Sequence, residues 1–156
     1  MKSILKAVFG IALLLMTSSC ASDLTATASP DASLSKDLTY YVAHYPDDNS
    51  EVNVDVCNEL QLTGRTVTTG EMAELPEDLD VLVTYVDSWV WDMNMYILSL
   101  DINFRDASTE QEIASGRSMA TSLIRQSQKW HANALVTKII EEVHPEEAAA
   151  SATPEE

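Results

Sequence analysis

The strongest constraint on the fold is a strict alternation of side chains in the middle of the chain. Residues 96–105 place large apolar side chains on one side (Tyr96, Leu98, Leu100, Ile102, Phe104) and polar ones on the other (Ser99, Asp101, Asn103, Arg105). Successive side chains of a strand point to opposite faces, so the pattern predicts a β-strand with one buried and one solvated face. Residues 81–86 are nearly continuous in apolar residues, which is typical of a central strand. The chain must therefore build a sheet and cover one side of it.

Further elements complete one predicted domain over residues 38–144. They are, in order, a strand (38–45), a helix (51–62), four strands (65–69, 81–86, 96–105 and 112–123) and a final helix that Ser127 caps. Residues 51–62 fit strand and helix periodicities, and Ser50 before them and Gly64 after them favour the helix. The order β-α-β-β-β-β-α predicts an α+β two-layer sandwich, a mixed, mostly antiparallel sheet with two helices on one face. The first strand–helix–strand unit makes a right-handed crossover if its strands are parallel.

The N-terminus has the layout of a secretory signal. Lys2 and Lys6 form a basic start, an apolar run extends from Ala7 to Met16, and small polar residues lead to Cys20. A helical run of this length spans roughly 15 Å, about half the hydrocarbon core of a bilayer. The run therefore predicts a cleaved signal and not a lasting transmembrane helix.

A cysteine directly after small residues at the end of the apolar run resembles the lipobox of bacterial lipoproteins. The resemblance implies removal of residues 1–19, acylation of Cys20, and in Gram-negative bacteria sorting to the outer membrane. Thr17 stands where the family usually has Leu, and Ala21 follows the cysteine. Two or three acyl chains are enough for stable anchoring. The alternative is ordinary cleavage near Ala21, which gives a soluble periplasmic protein.

Charge restricts the partners of the chain. The 156 residues carry a formal net charge of -16. Without residues 1–19 the chain has seven basic and 25 acidic side chains, which gives a net charge of −18. We therefore expect no nucleic-acid partner, and we expect acyl chains, not charge, to hold the protein on a bilayer. Residues 20–37, rich in Ala, Ser, Thr and Asp, are predicted to be a flexible tether, and residues 145–156 a disordered acidic tail.

The candidate binding site is a cluster of tryptophan and aspartate near the end of a predicted central strand. It consists of Asp87, Trp89, Trp91 and Asp92, interpreted as a turn between two strands. Indole faces beside carboxylates can stack a sugar ring and accept hydrogen bonds from its hydroxyls, which would suit an envelope glycan. The alternative is that both Trp pack at the edge of the core while both Asp cap turns. A glycosidase acid pair of Asp87 and Asp92 is a further hypothesis.

Other reactive residues give weaker patterns. His44, His131 and His144 lie in separate elements, and Glu141 with His144 forms one Glu-x-x-His where a carboxylate-bridged metal site needs two. Cys57 is expected to be buried on the apolar side of its helix, and a Cys20–Cys57 bridge becomes an alternative if Cys20 is unmodified. No nucleophile elbow, phosphate loop or dinucleotide fingerprint occurs. We therefore predict no catalytic residues, no metal and no cofactor.

Residues 80–116, DVLVTYVDSWVWDMNMYILSLDINFRDASTEQEIASG, resemble a group of small uncharacterised bacterial lipoproteins. The arrangement is also similar, at the level of fold, to envelope-assembly lipoproteins such as the penicillin-binding-protein activators and the curli secretion lipoprotein. These resemblances imply an envelope lipoprotein and no particular activity. Together the patterns predict a non-enzymatic, lipid-anchored protein that faces the periplasm and binds an envelope protein or glycan. A small glycan hydrolase and a structural subunit of an envelope complex are the alternatives.

Overall fold

A computed structural model describes residues 23–120 and 125–147. The predicted signal peptide (1–19), the acylation site Cys20 and the acidic tail beyond residue 147 lie outside these ranges. Within the described residues, no helix is both long enough and apolar enough to cross a membrane.

Residues 23–120 and 125–147 form six strands and two main helices. In chain order these are β1 (Asp23–Ala28), β2 (Thr39–Ala43), α1 (Val52–Leu62), β3 (Thr66–Gly70), a 3-10 helix (Met72–Glu74), β4 (Val81–Asp92), β5 (Asn94–Asp106), β6 (Glu112–Met119) and α2 (Gln128–Val143). One sheet contains all the strands, in the order β1-β6-β5-β4-β2-β3. The pairs β1–β6, β6–β5 and β5–β4 are antiparallel, and β2 is parallel to both β4 and β3. The predicted α+β sandwich with a mixed, mostly antiparallel sheet is therefore confirmed.

The two helices pack against each other and against one face of the sheet. One hydrophobic core contains apolar side chains from both helices and from the strands. Helix α1 contributes Val52, Val56 and Leu60, and α2 contributes residues that include Leu135 and Ile139. The other face of the sheet is uncovered over β1, β6, β5 and part of β4. Near β2 that face carries Tyr41, which is buried and whose hydroxyl donates to the Glu71 carbonyl, 2.9 Å away.

The N-terminal segment differs from the prediction. Residues 23–28, predicted to belong to a flexible tether, form an edge strand that pairs with β6 over its whole length. Leu34, in the same predicted tether, is fully buried in the core. The tether prediction is wrong for these residues because backbone pairing with β6 stabilises a segment that has almost no large apolar side chains. The folded domain therefore includes residues that come before residue 38, Asp23–Ala28 and Leu34 among them.

The central hairpin also differs from the prediction. Residues 87–92, interpreted as a turn, belong to β4, and the reversal occurs at Met93, whose φ is 62°. Asp92 pairs directly with Asn94, and a bulge at Ser88/Trp89 adjusts the register. β4 and β5 are therefore long strands of 12 and 13 residues.

Helix α1 has a cap that differs from the predicted one. Ser50 is not its N-cap; the buried carboxylate of Asp48 accepts hydrogen bonds from the backbone N–H of Ser50 at 2.6 Å and of Val52 at 2.7 Å. At α2 the prediction is confirmed, because the Ser127 hydroxyl accepts from the Trp130 N–H at 3.1 Å.

Candidate functional site

The predicted site residues lie along one strand and do not converge on one cleft. The Trp89 indole N–H donates to the Asp87 carboxylate two positions away on β4, and the Trp89 ring packs against the edge of the core. This agrees with the packing alternative for Trp89, but Asp87 binds an indole and does not cap a turn. The Trp89 indole, predicted to stack a sugar ring, therefore already uses its N–H group in a hydrogen bond to Asp87.

Trp91 and Asp92 lie further out, at the end of the hairpin. Trp91 is 70% exposed and therefore does not pack at the core edge. The Asp92 carboxylate accepts from the Arg125 guanidinium at 2.9 Å, and the same guanidinium lies 4.5 Å from the centre of the Tyr96 ring. Arg125 also donates to Asn94, so one side chain holds both arms of the hairpin. Sequence reasoning missed Arg125, because nothing in its local pattern connects it to residues some thirty positions earlier.

The two carboxylates of the proposed acid pair cannot work together. Asp87 and Asp92 are five positions apart on one strand, which corresponds to roughly 16 Å and to opposite faces. Glycosidases hold their two carboxyl groups about 5–10 Å apart. The geometry therefore does not support the glycosidase hypothesis for this pair.

The uncovered face of the sheet is a polar surface built by four neighbouring strands. It forms a shallow groove of about 390 Å³. Its polar side chains come from four adjacent strands: Thr25 and Thr27 of β1, Ser115 and Arg117 of β6, Asp101, Asn103 and Arg105 of β5, and Thr84 of β4. The alternation of residues 96–105 already indicated the β5 part of this face. The β1 part had no sequence signal, because Thr25 and Thr27 lie in the segment that was predicted to be a tether.

The polar groups of this face are connected to one another across the strands. The Arg105 guanidinium donates to the Asn103 side-chain oxygen at 2.9 Å, and the Asn103 amide donates to Glu112. Glu112 also accepts from the Ser115 hydroxyl at 2.8 Å. The Ser115 hydroxyl is also 3.2 Å from the Thr27 hydroxyl of β1, which extends the connected groups to the edge strand. The face therefore presents donors and acceptors whose positions the sheet fixes in advance.

Its charges are of both signs and lie close together. Arg117 and Asp101 are directly opposite each other in the β5–β6 ladder, with 3.6 Å between guanidinium nitrogen and carboxylate oxygen. Both side chains stay about half exposed, so the pair is solvated and remains available to a partner.

The histidines serve the fold. The Nε2 atom of His144 accepts from the Leu34 N–H at 3.0 Å, so His144 holds the segment before β2 against the end of α2. His131 is fully buried, its Nδ1 is 2.8 Å from the Ser118 hydroxyl, and burial lowers the pKa of its ring. His44 contacts Glu71, with 3.0 Å between ring nitrogen and carboxylate. Across residues 23–120 and 125–147, no group of three or more His, Cys, Asp or Glu side chains is arranged to hold a metal ion.

Cys57 is buried between α1 and β3, as its place on the helix predicted. Its sulfur lies 3.9 Å from the Val67 carbonyl oxygen, and burial raises the pKa of the thiol. A thiol with a raised pKa and little access to solvent is a weak nucleophile at neutral pH. Cys57 is therefore a structural residue.

Comparison with known proteins identifies the fold but no family. Neither a protein-family model nor a curated protein sequence matches the chain. Among solved structures, the chain is similar to PelC from Paraburkholderia phytofirmans, solved as a dodecamer in two crystal forms. A point variant has a TM-score of 0.59 and 15% identity over 79% of this chain and 98% of PelC. The second form has a TM-score of 0.57 and 16% identity over 78% of this chain and 98% of PelC. At this identity the likeness shows a shared fold alone.

Proposed function

We propose that this chain is a non-enzymatic, lipid-anchored protein of the bacterial envelope that binds a protein partner through the uncovered polar face of its sheet. The observation that carries the proposal is the connected set of hydroxyl, amide and charged groups on that face. Residues on four neighbouring strands contribute to it, so it is rigid and largely preorganised for binding. The lipobox-like sequence ending at Cys20 supplies the anchor.

A protein partner fits this face better than a glycan does. Sugar rings are commonly bound by a flat aromatic surface flanked by polar groups. Here the groove has no tryptophan in its lining, because Trp89 packs at the core edge and Trp91 lies at the hairpin end. Mixed charges, amides and hydroxyls without a stacking surface suit the polar groups of another protein.

Site-specific photo-crosslinking in cells tests the proposal. A crosslinking amino acid at Thr27 or Asn103 is expected to give one discrete protein adduct, and the adduct should weaken when Asp101→Ala and Arg117→Ala are added. Lys129, exposed on α2, is the matched control position and should give no such adduct. Absence of a discrete adduct from both face positions would contradict the protein-binding role, and recovery of glycan at Thr27 would favour the other ligand class.

The anchor has a separate test. The wild-type protein is expected to take up labelled palmitate and to sediment with outer membranes, whereas Cys20→Ser should lose the label and become soluble. A Cys20→Ser protein that stays in the membrane fraction would overturn the lipoprotein assignment.

A second candidate is a structural subunit in which the partner is another copy of the chain. The observation that favours it is the similarity in fold to PelC, which crystallised as a dodecamer. In the crosslinking experiment this candidate gives an adduct of twice the mass of the chain. Native mass spectrometry of the purified protein then gives the number of copies.

A further inference from the structure

Within the described residues, the hairpin formed by β4 and β5 extends further than the pairing of β1 and β6. The last ladder pairs of β6 and β1 are at the level of Ser99, because Met119 pairs with Ser99 and Asp23 pairs with Met119. Beyond that level β4 and β5 continue to pair with each other up to the turn at Met93. The turn at Met93 is five positions after Ser88, the partner of Ser99, which places the turn roughly 15 Å further out.

The end of this hairpin is apolar and exposed. Met93 is 89% exposed, Trp91 70% and Met95 57%, and Trp91 and Met95 are direct partners in the ladder. We call these three residues the hairpin tip. Large apolar side chains that sit together in water usually mark a contact surface.

The charge at the hairpin tip is neutralised within the domain. Among residues 88–97 the sequence has one charged side chain, Asp92. Its carboxylate is 2.9 Å from the Arg125 guanidinium, which also contacts the Tyr96 ring. The opposite end of the sheet, where Val81 pairs with Asp106, carries the acidic loops with Asp80 and Glu110. The hairpin tip itself is therefore apolar, and the nearest acidic groups on its side of the sheet, such as Asp23 and Glu71, lie below it at the ends of the shorter strands.

The first described residue lies on the hairpin side of the sheet. β1 is antiparallel to β6, and its Asp23 end is the end that faces the hairpin tip. Cys20 is three residues before Asp23, and three Cα–Cα steps span at most about 11 Å. When the strands stand upright on a bilayer, the hairpin tip therefore reaches at least as far toward the lipid as the acylated cysteine does.

We propose that the hairpin tip is a second membrane contact, in which Trp91, Met93 and Met95 lie in the boundary between headgroups and acyl chains beside the lipid-modified Cys20. Trp is favoured at this boundary, and flexible Met side chains adapt to an irregular apolar environment. Two contacts fix the orientation of the domain, with its strands upright and its acidic loops away from the negative headgroups. The polar face then points sideways, where partners on the same membrane can reach it. This inference rests on the proposed anchor at Cys20.

Depth-dependent quenching of tryptophan fluorescence tests the proposal. The acylated full-length protein, carrying Trp89→Phe and Trp130→Phe so that Trp91 is its single tryptophan, is placed in phosphatidylethanolamine–phosphatidylglycerol vesicles with brominated acyl chains. Trp91 emission is expected to shift to the blue and to be quenched. Adding Met93→Glu and Met95→Glu should reduce the quenching, and circular dichroism checks that each variant is folded.

A matched reporter at the opposite end provides the control. Leu62, at the end of α1, is 78% exposed. Because β2 and β3 are parallel, α1 runs back from the end of β2 to the start of β3, which places Leu62 at the end of the sheet opposite the hairpin tip. A protein with Leu62→Trp and all three native tryptophans replaced by Phe should show no quenching by brominated lipid. Flotation with the vesicles reports the anchor independently.

The outcomes separate the two proposals. A protein that floats but whose Trp91 is quenched no more than the Leu62→Trp reporter overturns the role of the hairpin tip and leaves the anchor intact. The membrane role of the hairpin tip is also overturned if Trp91 is not quenched by lipid and is shielded from acrylamide in a lipid-free oligomer. The tip would then contact a second copy of the chain. A protein that is not acylated and does not float overturns the anchor together with the tip's role.

Discussion

Asp48 is the residue on which the junction between the sheet and α1 depends. Its buried carboxylate accepts from the N–H groups that open the helix and from the Tyr85 hydroxyl at 2.6 Å. Burial, and then the hydrogen bond to Asp48, raise the pKa of Tyr85 well above its ordinary value, so the phenol stays protonated and donates. One carboxylate therefore replaces the Ser or Thr cap that the sequence suggested and also fastens the helix to β4.

Loss of the Tyr85 hydroxyl should weaken this junction. We expect Tyr85→Phe to lower the free energy of unfolding by about 1.5–3 kcal/mol, because it removes a hydrogen bond to a buried charged group. Urea unfolding at neutral pH measures the change. Tyr45→Phe is the control: its hydroxyl contacts Asp47 at the exposed surface, 3.4 Å away, so its loss should cost no more than about 0.5 kcal/mol. Equal losses in the two variants would contradict a special role for the Asp48 junction.

At the scale of elements, the position of α2 over the sheet depends on Gly116 in β6. A Cβ atom there would lie 2.8 Å from a methyl of Leu135, 2.9 Å from Ile139 Cγ1 and 2.9 Å from the Thr25 carbonyl oxygen. These contacts are closer than packed atoms tolerate, and one of them is to the backbone of β1. The absence of a side chain at Gly116 therefore sets the distance of α2 from the sheet.

A methyl group at this position should push the helix away. Gly116→Ala is expected to destabilise the fold by about 1–3 kcal/mol through overpacking. The neighbouring Ser115→Ala, on the uncovered face, should change stability by no more than about 0.5 kcal/mol. Thermal unfolding of both variants distinguishes them, and a Gly116→Ala protein as stable as Ser115→Ala would show that α2 can shift without cost.

Sequence reasoning identified the elements with strong periodicity and missed those that tertiary pairing creates. The alternation from Tyr96 to Phe104 and the apolar run from Val81 gave β5 and the start of β4 with nearly correct limits. β1 was missed because two of its three inward side chains are alanines, and it is a strand only where β6 offers a free edge. Asp87 and Ser88 were interpreted as turn residues, yet the turn is at Met93, a residue type that gives no turn signal.

The candidate site was predictable only in part, for the same reason. Trp89 and Trp91 are neighbours in sequence but differ in environment, because only Trp89 lies over the core. The polar face forms only because β1, β6, β5 and β4 are neighbours in the sheet. Local sequence patterns do not predict the order of strands in a sheet. The burial of Cys57 was predictable because it follows from one helix face alone.

At the scale of the whole molecule, the segment before β2 is part of the folded unit. The Leu34 carbonyl accepts from two guanidinium nitrogens of buried Arg65, at 2.9 and 2.6 Å, and its N–H donates to His144. The Tyr40 hydroxyl donates to the Ser35 carbonyl at 2.8 Å. This segment therefore joins the start of the sheet to the end of α2.

Removal of this segment should be costly. A chain beginning at residue 38 loses β1 and the fully buried Leu34, and we expect it to be less stable than a chain beginning at residue 23 by at least about 4 kcal/mol. Guanidinium unfolding followed by circular dichroism compares the two. A chain from residue 38 that unfolds at the same denaturant concentration would restore the prediction of a tether over residues 20–37.

The pairing of β1 with β6 also sets the order in which the molecule can be completed. Asp23 pairs with Met119, so β1 has no partner until nearly the whole domain has been synthesised. Contacts between such distant positions form slowly, because a long loop must close first. During that interval β1 stays unpaired. The edge of β6 that receives β1 therefore also stays open until late in folding, and β1 is expected to be the last strand to join the sheet.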